Sequence, residues 1–173
     1  ETLHEAIKEM DGEMTARFND TFISIRAQFK EAFRELFGGG QADLVLIDPN
    51  NLLETGIEIV AQPPGKKLQS LSLLSGGERA LTAIALLFAI LNTRPVPFCI
   101  LDEVEAALDE SNVIRYSEYL KKYSKETQFI VITHRKGTME GADVLYGITM
   151  QESGVSKLVS VKLEEDVPVA KGV

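Results

Sequence analysis

Phe98-Cys99-Ile100-Leu101-Asp102-Glu103-Val104-Glu105-Ala106-Ala107-Leu108-Asp109 passes abruptly from an apolar run to a pair of acids. Its first four residues read as a short strand of the continuous apolar kind that lies buried inside a parallel sheet. A helix from about Glu110 to Tyr123 follows, and Gln128 to Thr133 reads as a second buried strand. Strand, helix, strand in that order is the unit of an α/β domain, because parallel neighbours need a crossover between them. Both predicted strands end in polar residues, Asp102-Glu103 and Thr133-His134. Open parallel sheets bind ligands at the carboxyl ends of their strands, so two such ends side by side mark a convergent site.

Working outward, Leu3, Ile7, Met10, Met14, Phe18, Phe22, Ile25, Phe29, Phe33 and Leu36 recur in steps of three and four. That period predicts one long amphipathic helix over 1–37. Its charged beginning, to about Met14, fits the end of a coiled coil, while the aromatic part from Phe18 to Phe37 fits a stripe packed on a globular core. Gly38-Gly39-Gly40 ends it, since glycine accepts the left-handed backbone of a C-cap. Asp43 to Ile47 and Gly56 to Val60 read as strands joined by the turn Pro49-Asn50-Asn51, and Gln62 to Gln69 reads as a loop. Gly77 to about Leu91 is apolar almost all round and predicts a buried helix. After a polar turn, Val144 to Met150 and Val155 to Leu163 form a predicted hairpin around Glu152-Ser153-Gly154. The expected organisation is a helix over 1–37, a lobe over 38–163 and a flexible tail over 164–173.

The 173 residues, 45% of them apolar, suffice for one domain with a sizeable core. A single cysteine, Cys99, excludes a disulfide framework and fits a reducing, cytoplasmic compartment. It lies within an apolar strand without a basic neighbour and reads as a packed thiol. No apolar run reaches the roughly 18 to 20 residues of a membrane span. A net charge of -8 argues against strong nucleic-acid binding by this chain alone, because such affinity comes from clustered Lys and Arg. Lys66-Lys67, Lys121-Lys122-Lys125 and Arg135-Lys136 are small basic groups that read as solvated faces.

Leu74-Ser75-Gly76-Gly77-Glu78 opens the buried helix, so its backbone N–H groups and the positive end of the helix dipole suit a phosphate. Ser75 and Glu78 also have the spacing of a capping box, and both readings can hold together. Asp102 at a strand end can hold magnesium through its water shell. Glu103 can polarise a water for attack on a terminal phosphate, and His134 can donate a hydrogen bond to it. His4 reads as an ordinary helix residue. The loop G-x-x-x-x-G-K-[ST], which cradles phosphates in P-loop enzymes, does not occur; Gly65-Lys66-Lys67 lacks both the hydroxyl residue and the first glycine. The expectation is therefore half of an ATPase.

From about Phe33 to Leu163 the order of motifs resembles the C-terminal half of the ATPase head of structural maintenance of chromosomes (SMC) proteins of the bacterial chromosome-partition type. The residues that carry this are Leu36-Phe37-Gly38-Gly39-Gly40, Pro63-Pro64-Gly65-Lys66-Lys67, Leu74 to Glu78 and Asp102 to Asp109. The last is the narrowest, because transporters and related repair ATPases usually carry Pro-Thr or Pro-Phe after the Asp-Glu pair. The resemblance implies an α/β, ATP-binding-cassette-type head lobe entered by the end of a coiled coil. It implies ATP and magnesium as ligands, with Asp102 the magnesium-binding Walker B aspartate, Glu103 the catalytic base, Asp109 the D-loop residue and His134 the switch histidine. Ser75, Gly76, Gly77 and Glu78 form the signature, which meets ATP bound on a second head. The partners implied are the N-terminal P-loop lobe of the same protein, a second head, the C-terminal winged-helix domain of a kleisin, and DNA through the assembled complex at the nucleoid. The final hairpin, with outward positions such as Lys157 and Ser160, is the expected kleisin surface. Competing readings are a docking module inactive by itself, a head fragment of a repair ATPase, which Val104-Glu105-Ala106-Ala107 disfavours, and a transporter subunit.

Overall fold

Helix α1 spans Thr2–Phe37 and changes character along its length. Leu3, Ile7, Met10 and Met14 are exposed, whereas Phe29, Ala32, Phe33 and Leu36 are buried. The buried half packs on helix α2, Gly76–Thr93, whose Leu81, Ile84, Ala85, Phe88 and Ala89 face the same core. Each fully buried Phe or Leu contributes about 1.5–3 kcal/mol, far more than helix propensity supplies per residue. Tertiary packing therefore anchors the aromatic half, as the split in its sequence predicts. Gly38 donates its N–H to Glu35 O at 3.2 Å and Gly39 to Arg34 O at 2.8 Å, with Gly38 at φ 67°. This is a Schellman cap, and only glycine takes that backbone without strain.

The structure, a computed structural model, describes residues 2–162. Leu163 of the predicted hairpin and the predicted tail over 164–173 lie outside the described residues. Three sheets occur among them. Strands β1 (Gln41–Leu46), β2 (Ile57–Gln62) and β3 (Gln69–Ser70) form an antiparallel sheet beside α1. Strands β4 (Phe98–Asp102) and β5 (Gln128–Ile132) pair in parallel, with helix α3 (Glu110–Tyr123) as their crossover. A short helix α4 (Lys136–Glu140) precedes the antiparallel hairpin of β6 (Val144–Glu152) and β7 (Val155–Lys162). Phe88 stacks on Tyr119 at a ring separation of 4.5 Å and so joins α2 to α3.

Three expectations are corrected. The stretch from Gln62 to Gln69 is not all loop: Gln62 ends β2, and Gln69-Ser70 pairs with Ala61-Val60. Ala61 is fully buried, so its backbone polar groups require ladder partners. The polar turn after His134 contains α4, which has no apolar period of its own and is held against α3, where a Cβ on Gly137 would meet Val113 Cγ1 at 3.1 Å. The parallel strands are buried on one face only. Leu101 is buried and Cys99, Phe129 and Val131 pack on the core, but Phe98, Ile100, Ile130 and Ile132 are exposed. Helices cover that two-stranded sheet on one side, which leaves the other apolar side open.

Each basic group has at least one member paired with an acid: Lys66 with Glu78, Lys122 with Glu35, Arg135 with Glu110 and Lys136 with Glu140. No helix among the described residues is long and apolar enough to cross a membrane. One ion-pair cluster ties α1 to β1. Arg26 grips Asp43 with two hydrogen bonds, at 2.5 and 2.7 Å, and Lys30 Nζ lies 3.1 Å from the same carboxylate. Those bonds, Arg26's first, lower the Asp43 pKa to about 2. A carboxyl group whose pKa is lower folded than unfolded stabilises the fold above its unfolded pKa of about 4, and that contribution is lost as pH falls through about 2. Thermal melts between pH 5 and 2 should show Asp43→Asn less stable than the parent at pH 5, with the gap closing as the pH falls.

Candidate functional site

Parallel register sets Asp102 opposite Ile132, so the residues that follow each strand leave the sheet at one edge. Glu103 N–H donates to Ile132 O at 2.9 Å, which fastens the first turn of the acidic loop to β5. Glu103 has φ 48°, a left-handed backbone that costs a non-glycine residue about 1–3 kcal/mol and recurs at functional sites. Its Oε1 lies 3.2 Å from His134 Nδ1, and both side chains are exposed. Asp102 is also exposed. Three of the predicted residues, Asp102 and Glu103 from one polar end and His134 from the other, are thus brought to one edge.

The glycine-rich motif meets the same loop from the other side. Ser75 caps α2: its Oγ accepts from Glu78 N–H at 3.4 Å, and Ser75 N–H donates to Glu78 Oε2 at 2.9 Å. The capping box predicted from the spacing is therefore formed, and it satisfies two of the helix's orphan donors. Lys66 Nζ lies 2.8 Å from Glu78 Oε1, and its hydrogen bond keeps the Glu78 carboxyl below its ordinary pKa. At Gly77 a Cβ would meet Ala107 O at 3.0 Å, whereas Gly76 has open space around it. Absence of a side chain at Gly77 lets the start of α2 sit on the 103–109 loop. Asp109 caps α3 by accepting from Asn112 N–H at 2.9 Å.

Two residues hold these loops together: Glu105, read from the sequence only as part of the 102–109 motif, and Arg135, read there as part of a solvated basic group but found half-buried and bonded to the Leu108 carbonyl. Glu105, 1% exposed, accepts hydrogen bonds from Thr133 Oγ1 and from Thr138 Oγ1, the latter at 3.1 Å. Arg135 Nη2 donates to Leu108 O at 3.1 Å and to Glu110 at 3.2 Å. The available signal for Glu105 was an acid set among Val104, Ala106, Ala107 and Leu108; Arg135 carried none beyond its charge.

No group of three or more His, Cys, Asp or Glu among the described residues is arranged to hold a metal ion. Magnesium keeps most of its waters and takes one or two protein carboxylates together with substrate phosphates. One exposed carboxylate at a strand end, Asp102, fits an ion that arrives with a nucleotide.

A family model described as RecF/RecN/SMC N terminal domain matches residues 6–157. The chain belongs to this family. Over 164 residues it is 76% identical to the chromosome partition protein Smc of Bacillus subtilis (strain 168), which covers 95% of this chain and 14% of that protein. The protein of the same name from Desulfitobacterium hafniense (strain Y51) is 64% identical over 164 residues, again with 95% and 14% covered. The chain thus spans 14% of the length of these relatives. Among solved structures, the Pyrococcus furiosus Smc head domain with an extended coiled coil, bound to the C-terminal domain of ScpA, matches with TM-score 0.83 at 43% identity, covering 93% of this chain and 40% of that one. A chain from work on ATP-driven dimerization and DNA-stimulated activation of SMC ATPases matches with TM-score 0.80 at 44% identity, covering 86% and 89%. The SMC-type α/β head fold expected from the motifs is the fold observed.

The cap gives a direct test of local geometry in this SMC-family chain. Ser75→Ala should cost about 1 kcal/mol of unfolding free energy, and Ser75→Gly only a few tenths, in denaturant titrations. Equal stability of Ser75→Ala and the parent would remove the capping box from the account.

Proposed function

We propose that this chain is the C-terminal lobe of an SMC ATPase head that acts in chromosome partition, with residues 1–37 as the long helix by which the end of a coiled coil enters the head, and 38–163 as the lobe. The observation that carries this reading is the meeting of Asp102, Glu103 and His134 at the ends of adjacent parallel strands. The exposed apolar face of Phe98, Ile100, Ile130 and Ile132 supports a second lobe packed there, because an apolar patch of this kind is ordinarily covered. That lobe would carry the P-loop that this sequence lacks.

In the assembled head, Asp102 would hold a magnesium ion, which supplies charge neutralisation at the phosphates. Glu103 accepts a proton from a water whose oxygen bonds to the terminal phosphorus as the bond to the bridging oxygen breaks. His134, 3.2 Å from Glu103, would donate a hydrogen bond to the terminal phosphate. Ser75, Gly76 and Gly77 present the N-terminus of α2, with its dipole, to the ATP of a second head, and Glu78 holds that cap in shape. The contact of Gly77 with Ala107 supports Asp109 as the D-loop residue at the same head-to-head surface. Cytoplasmic location at the nucleoid, and DNA binding through the whole complex, follow from this reading.

The test is ATP hydrolysis by the chain alone and after co-expression with a P-loop lobe. Silence alone and turnover on reassembly is the expected result; tight magnesium-dependent ATP binding by the chain alone would overturn the split site. In the reassembled head, Glu103→Gln should keep ATP binding and head pairing while turnover falls roughly 100-fold or more. Unimpaired turnover would remove Glu103 from the chemistry.

A docking reading rests on a different observation and coexists with the first. On one face of the β6–β7 hairpin, Tyr146, Ile148, Met150 and Leu158 are exposed together, with Ile148 directly opposite Leu158. Smc heads bound to ScpA are among the solved relatives, and this stripe suits the C-terminal winged-helix domain of a kleisin. Ser160, opposite Tyr146, lies on that face, and Lys157, opposite Thr149, on the other. Ile148→Asp and Ser160→Asp should weaken kleisin binding at least tenfold by calorimetry, more than a charge change at Lys157. Parental affinity in both would move the interface elsewhere.

A further inference from the structure

We propose that Glu105 is a positioning residue, a buried carboxylate that binds the loop of Glu103 and Asp109 to the loop of His134 and thereby sets the Glu103–His134 geometry. The proposal rests on the ATPase reading above, and it assigns no contact with substrate to Glu105.

Burying a carboxylate is costly unless hydrogen bonds repay it, and an apolar side chain of similar size would ordinarily serve a core better. Glu105 is nonetheless 1% exposed. Its Oε1 accepts from two hydroxyls, that of Thr133, the residue just before His134, and that of Thr138 on α4. Thr133 Oγ1 in turn accepts from Arg135 N–H at 3.0 Å, so the carboxylate's hold extends across the residues on both sides of His134. Within its own loop, Leu108 N–H donates to Glu105 O at 2.9 Å and Ala106 N–H to Glu103 O at 3.1 Å, which makes the loop from Glu103 to Leu108 a closed series of turns. Displacing Glu105 would therefore move Glu103 and the Ala107 carbonyl under Gly77 together. Burial, and then the charge of Glu105, raise the pKa of the Tyr116 hydroxyl, which places Tyr116 within electrostatic reach. Glu105 Oε2 and the Tyr116 hydroxyl are both buried without a hydrogen-bond partner among the described residues. A carboxylate fixed at one oxygen and unpaired at the other is a poor stability device, whereas its bonded oxygen bridges the two loops that carry the hydrolytic pair.

The experiment compares Glu105→Ala, Glu105→Gln and Thr133→Val in the head reassembled with its P-loop lobe, and follows the His134 imidazole by NMR in the 173-residue chain. Glutamine keeps the oxygen that accepts from Thr133 and Thr138, while the other two variants break the bridge. Glu105→Ala and Thr133→Val should lower kcat roughly 10- to 100-fold, the scale for losing an orienting partner. KM for magnesium-ATP should stay within about twofold, and Glu105→Gln should restore most of kcat. His134 resonances should move in Glu105→Ala and Thr133→Val and return in Glu105→Gln. Parental kcat and unmoved His134 resonances in Thr133→Val would overturn the proposal, as would losses in kcat and ATP affinity that only follow the loss of folded protein. Should Glu105→Ala not fold, the other two variants decide. A parental head that does not hydrolyse ATP would sink the ATPase reading instead, and the NMR comparison would still decide whether Glu105 sets the place of His134.

Discussion

Parallel strands cannot be joined by a tight turn, and that restriction organises the site. Pairing β4 with β5 in parallel obliges the chain to cross over through α3 and return in the same direction. Both carboxyl ends then lie at one edge, so Asp102-Glu103 and Thr133-His134, some thirty positions apart in sequence, become neighbours. An antiparallel return would have sent Thr133-His134 to the far end of the sheet. The crossover is itself fixed by packing, since Val113, Tyr116, Tyr119 and Leu120 of α3 are buried with Phe88 of α2.

The same packing explains why the domain is finished on one side and open on the other. Helices α1, α2 and α3 share one core, to which β4 and β5 contribute Cys99, Leu101, Phe129 and Val131. Alternation then sends Phe98, Ile100, Ile130 and Ile132 outward. Continuous apolar strands suit burial on both faces. That sequence character and the open face are consistent with a partner layer, as the P-loop lobe of the proposed head would supply.

Much of this was legible from local patterns. The steps of three and four in α1, the triple glycine at its end, and the strand–helix–strand order around Asp102 each follow from chain geometry, and each is realised. The Ser75–Glu78 cap was legible for the same reason, because its bonds run between residues three apart. The elements that escaped lack such a local signature. Strand β3 exists because Val60 and Ala61 need backbone partners, and α4 exists because Thr138 and Gly137 fit against α3 and Glu105. Glu105 was visible as an oddly placed acid, but its two threonine partners lie 28 and 33 residues away.

The sequence by itself therefore determined the strongly periodic elements, the caps at Gly38 and Ser75 and the chemical types gathered at the two polar strand ends, because these depend on periodicities of two and 3.6 residues and on contacts a few positions apart. Tertiary structure alone decided that Glu103 stands 3.2 Å from His134, that Gly77 rests on the Ala107 carbonyl, and that Glu105 is buried as the tie between the two loops. Those distances arise only when α1, α2 and α3 close on a common core, since no local rule relates residues thirty positions apart.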